Sequence, residues 1–315
     1  MQGIRPDFRR VPSVLSGALC LWAVLWQVSG GMLAPVRWGV YLAPFTMLLC
    51  GALCGLATLR RSWAEAMCIG AVGLLLAFKQ PGLVHRSGQV TETGQTISLT
   101  TLSNRTRNRD LAATAAALRA HPADIFVLQE VARPKALVQK LRGIYPDAKM
   151  SACGAGNFAI VSRHPVGAPH PASSNIAMFC EVKLSAGRAW VGSVHLPRAT
   201  FNRFRQRRAT DRILAIVDQL DAPVILAGDL NATPMATTTR RLSARLQNVY
   251  DARGPWPGFT FPTPARRLGT LGAFLRIDHV FASQTFRPLS AKVASWHPPG
   301  ADHYPLVVRL ADTRR

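Results

Sequence analysis

Apolar residues crowd the first quarter of the chain, and beyond residue 95 they break into short runs separated by polar, helix-patterned stretches. Residues 11–33 and 38–59 contain no charged side chain. Each run is long enough to cross a hydrocarbon core of ~30 Å as a helix, so both are expected to be transmembrane. A third run, 62–78, is shorter and holds Glu65, with Lys79 at its end; it reads as a tilted or thinning span. Arg5, Arg9 and Arg10 before the first run, and Arg60 and Arg61 after the second, assign those ends to the cytoplasm. Two spans would leave the large domain inside, and three would place it outside. The expected organisation is a transmembrane helical anchor over 1–78, a Pro/Gly/polar linker over 79–95 and a catalytic domain over 96–315. With three spans, that domain is expected on the outer face of a cell membrane.

Within the last region, ISLTTLS, DIFVLQ, FAIVS, MFCEVKL, WVGSVHL, PVILAGD, RIDHVFA and PLVVRL read as strands, and 109–120, 134–142 and 201–220 as helices. This mixed alternation predicts an α/β fold of two packed sheets flanked by helices rather than one parallel sheet. Hydrophobic content of 48% supplies a core plus further apolar material. The net charge of +22 changes the picture more: residues 1–86 hold eight of the 38 Lys/Arg and two of the 16 Asp/Glu, leaving the rest at +16. A basic globular part favours an anionic partner, whether nucleic acid, lipid headgroups or phosphorylated compounds. Four of six cysteines lie in the apolar part; Cys153 and Cys180 remain as a disulfide or as two buried thiols.

Polar groups recur where the apolar runs end. Asn104 follows ISLTTLS, Glu130 follows DIFVLQ, His195 follows WVGSV, and Asp229 and Asn231 follow PVILAG. Asp278 and His279 interrupt RIDHVFA, and Asp302 and His303 precede PLVVRL. Ligands and catalytic groups gather at strand ends and their loops. One acidic residue after a strand is more often a turn or cap, but a whole set at successive ends is not. Glu130, Asp229 and Asp302 are hard oxygen donors and Asn104 adds an amide oxygen. Such a set suits Mg²⁺, Mn²⁺ or Ca²⁺ rather than zinc, and Mg²⁺ pairs with phosphate oxygens, pointing to P–O bond cleavage. His195 and His303 are the acid or base candidates, with Asp278 the natural partner of His303.

In this order, TLSN, LQE, AIVSR, VHL, AGDLNATP, RIDHVF and ADHYPL resemble the endonuclease/exonuclease/phosphatase superfamily. The resemblance implies a four-layer α/β sandwich with its site at one end. It implies an essential metal on Glu130 with Asn104, supported by Asp302. Asp229 would position or activate water, Asn231 and His195 would contact phosphate, and His303 with Asp278 would act as acid, base or phosphate ligand. The chain departs from the abasic-site enzymes by carrying Arg105, Thr106 and Arg107 where they have an acidic residue, and it has Val194 where Thr is usual. The expected anchor favours a lipid-linked (polyprenyl) pyrophosphate, as in membrane proteins associated with glycopeptide resistance. A tethered nuclease, a sphingomyelinase-like phosphodiesterase and a non-catalytic adaptor are the other readings. Basic residues in 201–220, together with Trp256, Phe259 and Phe261, are candidate contacts to phosphate backbone, bases or lipid.

Overall fold

The computed structural model describes residues 11–29, 33–83, 94–147 and 149–314. Arg5, Arg9 and Arg10, on which with Arg60 and Arg61 the expected orientation rested, lie outside the described residues, as do linker residues 84–93. The chain divides into two compact units: a helical one extending to Pro81, which also takes in Met235–Thr237, and an α/β one made of Gly82–Pro234 and Thr238–Arg315.

In the helical unit, α1 spans Val11–Ser29, α2 Ala34–Tyr41, α3 Ala43–Leu59 and α4 Trp63–Lys79. Buried Trp26, Val40, Cys50, Leu53, Ile69 and Leu76 form its core. The expected membrane spans are corrected here, because no helix among the described residues is long and apolar enough to cross a membrane. The uninterrupted apolar run 38–59 is divided between two helices at Leu42, and Pro44 stands in the first turn of the second. Proline has no amide hydrogen to give the carbonyl four residues earlier and its ring crowds that carbonyl, so one helix cannot run through residue 44 undisturbed, and the break falls two residues before it. Helices α3 and α4 have 17 residues each, or about 26 Å of rise, short of the ~30 Å core. A multi-pass membrane protein with its large domain outside is therefore not supported.

The α/β unit contains two six-stranded sheets. Its strands are β1 (Gln95–Ser103), β2 (Ile125–Gln129), β3 (Ser151–Ala155), β4 (Phe158–Ser162), β5 (Val166–Pro169), β6 (Ala177–Leu184), β7 (Gly187–His195), β8 (Val224–Asp229), β9 (Gln247–Asn248), β10 (Asp278–Ala282), β11 (Phe286–Val293) and β12 (Leu306–Asp312). The first sheet runs β11-β12-β1-β2-β4-β3 and the second β5-β6-β7-β8-β10-β9. Its helices are α5 (Leu111–Ala120), α6 (Pro134–Lys140), α7 (Ala199–Gln219), α8 (Thr237–Ser243) and α9 (Val249–Arg253). Each sheet is mixed: β1 pairs parallel with β2, and β7 parallel with β8, amid antiparallel neighbours.

Between the sheets, Ile97, Leu99, Val127, Ile160, Met178, Val191, Ile225 and Val280 make a continuous core. Phe126, Leu128 and Val161 turn the other way, with Leu111, Leu118 and Leu137 of α5 and α6. That two-sided burial explains why β2 reads as an unbroken apolar run. Two features tie the sheets together through this core. Cys153 of β3 and Cys180 of β6 are joined by a disulfide. Gln129 of β2 donates to Ser193 Oγ of β7 at 2.9 Å, and Ser193 donates to the Leu128 carbonyl at 3.0 Å.

Candidate active site

Two parallel pairs bring four strand ends to one edge of the sandwich. Ser103 of β1 lies beside Gln129 of β2, and His195 of β7 beside Asp229 of β8. Antiparallel β10 starts where β8 stops, so Asp278 is the direct cross-strand neighbour of Asp229. The backbone beyond these ends is unusual. Among the described residues Arg61, Arg105, Glu130 and Asn231 are the non-glycine residues with positive φ, and the last three, at 61°, 52° and 46°, belong to this edge. Left-handed conformations cost side-chain-bearing residues energy and cluster at sites that need a particular presentation.

Glu130, His195 and Asp229 converge so that one ligand atom from each lies within 4.8 Å of the others. His195 Nε2 is 3.4 Å from Glu130 Oε1 and 3.7 Å from Asp229 Oδ2. Glu130 also accepts from the Thr106 amide and hydroxyl, both at 3.1 Å. Burial pushes the Glu130 carboxyl upward, but His195, the Thr106 amide and His303 outweigh it and hold the group below its ordinary range. Asp229 is buried and accepts from the Asn231 amide at 2.7 Å and from Asn231 Nδ2 at 3.1 Å. Burial, reinforced by Asp278, raises Asp229 to about 6 against the pull of His303 and His195.

Behind Asp229 stands a buried dyad, in which His303 Nδ1 donates to Asp278 Oδ2 at 2.8 Å. His303 Nε2 is 3.9 Å from Asp229 Oδ2, and the Phe261 ring lies 4.8 Å from the imidazole. Burial opposes the imidazolium, but Asp278 first, then Asp229 and Asp302, lift His303 to about 9. Thr260, fully buried, is hydrogen-bonded to the Asp278 carboxylate and helps hold it low against burial.

The remaining predicted residues take different places. Asn231 Nδ2 donates to both Leu196 O and Asp229, so its amide is engaged with the Asp229 carboxylate. Its Oδ1 accepts from Arg198 Nε at 3.2 Å, bringing to the site an arginine that the strand-end pattern did not reveal. Asn104 Oδ1 accepts from Asn108 and Thr114 at 3.3 and 3.2 Å. Asp302 does not join the Glu130 group: its Oδ2 accepts from Arg266 Nε at 2.6 Å and lies 4.0 Å from Arg105 Nε. His279, next to Asp278, is buried between the Ala232 carbonyl (2.9 Å) and the Asn248 amide (3.3 Å). Burial lowers it to about 4, making it a neutral structural histidine. Trp256 and Phe259 are partly buried rather than fully exposed.

Buried polar atoms are nearly always paired in folded proteins. Here Asn104 Nδ2, Arg105 Nε, Asp278 Oδ1 and Asp302 Oδ1 lack hydrogen-bond partners. These four lie on the edge that carries the Glu130 and Asp229 carboxylates and the His195 imidazole. The donor set fits a divalent cation of the hard, oxygen-preferring kind.

A profile described as the endonuclease/exonuclease/phosphatase family matches residues 93–303. No curated protein matches the chain. Among solved structures, an endonuclease/exonuclease/phosphatase from Bacteroides vulgatus is 17% identical, with a TM-score of 0.55 over 69% of this chain and 98% of that one. A truncated TDP2 from Caenorhabditis elegans is 19% identical, with a TM-score of 0.54 over 70% and 99%. The 3′ phosphatase NExo from Neisseria, bound to product DNA hairpin, is 18% identical, with a TM-score of 0.51 over 67% and 98%. These likenesses carry the fold, and the profile match over most of the chain carries the family: this protein belongs to the endonuclease/exonuclease/phosphatase family and is a phosphoester hydrolase.

Proposed function

We propose that the α/β unit hydrolyses a phosphate ester of a nucleic acid or nucleotide with the help of one divalent cation, preferentially Mg²⁺. The observation that carries this reading is the convergence of Glu130, His195 and Asp229 against the His303–Asp278 dyad. Glu130 would hold the cation, with His195 and Asp229 beside it. When bound, the ion would supply Lewis-acid polarisation of a phosphoryl oxygen.

The protein groups divide the proton work by their environments. Asp229, at about 6, is ionised at neutral pH and accepts a proton from the attacking water. His303, at about 9, is protonated there and donates to the leaving oxygen as the ester P–O bond breaks and the water oxygen bonds to phosphorus. Both groups are raised, and a base at about 6 beside an acid at about 9 brackets neutral pH, as an acid and base pair must. Asn231 and Asp278 act as positioning residues, for Asp229 and His303 respectively.

Nucleic acid is favoured as substrate by the net charge of +22, by arginines 105, 107 and 266 around Glu130, and by the likeness to a 3′ phosphatase bound to DNA. The lipid-linked pyrophosphate expected from the apolar N-terminal runs depended on confinement at a membrane, and no described helix is long and apolar enough to provide it. The test is hydrolysis of p-nitrophenyl phosphate, bis(p-nitrophenyl) phosphate and DNA by the purified chain, with EDTA, with Mg²⁺ restored, and with Asp229→Ala. Turnover that needs Mg²⁺ and vanishes in the variant is expected. Turnover that survives Asp229→Ala in a folded protein refutes the assignment.

A further inference from the structure

Beside the hydrolytic cluster lies a cavity of about 290 Å³ lined by Arg105, Thr106, Arg107, Glu130 and Arg266. Its composition is the notable point: three guanidiniums, one hydroxyl and a single carboxylate, the one that would hold the cation. From behind, buried Asp302 pairs with Arg266 at 2.6 Å and approaches Arg105 at 4.0 Å. One carboxylate thus pairs with Arg266 and does not neutralise both arginines. Arg105 Nε keeps a buried donor with no hydrogen-bond partner, on a backbone at φ 61°. Thr106, between the two loop arginines, fixes Glu130 through its amide and hydroxyl, so cavity and hydrolytic cluster share a wall.

We infer that this cavity is a subsite for a second phosphate, carried by the substrate next to the phosphate being hydrolysed. Planar guanidinium forks match tetrahedral oxyanions through paired N–H donors, and a polar cavity of this size, just below the ~300 Å³ lower end of small-molecule pockets, suits a charged group rather than a whole nucleoside. Arg266 enters already oriented by Asp302, and Arg105 donates to the Ala265 carbonyl at 3.4 Å, which lowers the ordering cost of gripping an anion. The inference rests on the proposed hydrolase reading only for the position of the scissile phosphate, against Glu130. Asp302 then serves recognition of the second phosphate, one residue before the histidine that serves proton transfer. The second phosphate has two chemical sources, the far half of a diphosphate or the next phosphodiester of a nucleic-acid strand.

Binding measured by calorimetry on the full chain in EDTA separates the cavity from catalysis. Inorganic pyrophosphate is expected to bind at least about tenfold more tightly than inorganic phosphate, and more tightly than citrate, which has similar charge without phosphate geometry. Arg107→Ala, at an exposed position that should not disturb folding, and Arg266→Ala are each expected to remove most of that preference. Competition by thymidine 5′-diphosphate would identify the diphosphate, and competition by a DNA dinucleotide with two phosphates would identify the strand. Equal binding of phosphate and pyrophosphate, a preference unchanged in both variants, or failure of both competitors overturns the subsite. The hydrolase reading fails separately, through the Asp229→Ala assay, whatever the calorimetry gives.

Discussion

Replacing Asp278 by Asn keeps the size of the side chain and a hydrogen-bond acceptor for His303 Nδ1 while deleting the charge that holds the imidazolium. In the intact protein His303 is lifted from 6.5 to about 9 against the cost of burial, with Asp278 as the foremost source of the lift. That difference corresponds to about 3 kcal/mol favouring the charged ring. Without the carboxylate, burial acts on a ring left with weaker support from Asp229 and Asp302, so His303 should return to 6.5 or below. At pH 8.5 roughly three-quarters of the native rings are protonated, against about one in a hundred in the variant, a loss of roughly fiftyfold or more in rate if His303 donates the proton. Asp229 meets two opposing changes, because the His303 charge lowers it and Asp278, the smaller influence, raises it. The native profile should therefore plateau between about 6 and 9, and the alkaline limb of the variant's profile should shift to lower pH. Measuring kcat from pH 5 to 10, with the His303 ring followed by imidazole ¹⁵N NMR, tests this directly. A variant whose ring still titrates near 9, or whose alkaline limb stays in place, would refute the assigned partnership.

Three further outcomes concern the scaffold. Loss of the Cys153–Cys180 bridge, which closes a separation of 27 residues, should cost about 3.5 kcal/mol by loop entropy; urea denaturation of the double alanine variant checks it, and an unchanged midpoint would deny the bridge a stabilising role. His279, lowered to about 4 by burial, favours the folded state fully above 6.5 and loses that contribution as pH falls through 4. His279→Gln should flatten about 3 kcal/mol of acid sensitivity between pH 7.5 and 4, and parallel stability curves for the two proteins would show that the ring is not kept neutral. Gly228, at φ 145°, would place an added Cβ 2.0 Å from the Val194 carbonyl oxygen, so Gly228→Ala should destabilise by roughly 4 kcal/mol or more; a thermal midpoint within a degree or two of the parent would contradict the close strand approach.

The strand-end residues were legible because each apolar run is buried and must stop where the chain reaches the sandwich edge, so the first polar side chain beyond it faces the site. Glu130, His195 and Asp229 follow that logic, whereas Asp278 opens β10 and His303 precedes β12. The partnerships of Asp302 and Asn231 were not legible. Arg266 and Arg105, which engage Asp302, are 36 and 197 residues away in sequence, and nothing local to DH distinguishes a metal ligand from an anchor for arginines. Asn231 takes its orientation from a left-handed backbone that the GDLN pattern does not display. The apolar N-terminal runs misled for a related reason: hydropathy counts residues, whereas a span needs one unbroken helix, and the division at Leu42 comes from backbone restriction around Pro44.

Asp302 and His303 gather these threads. The two residues are consecutive, yet one side chain meets Arg266 while the next meets Asp278 and comes within 3.9 Å of Asp229. The charge of Asp302 nonetheless helps raise His303. On the proposed subsite reading, an anion held by Arg266 would add negative charge beside Asp302 and so bear on the His303 acid that Asp302 helps to raise. A substrate bearing a second phosphate would thus reinforce the acid that its own hydrolysis requires. A substrate lacking one would meet the same residues without that reinforcement, which gives the arginine cavity a route to selectivity in kcat as well as in binding.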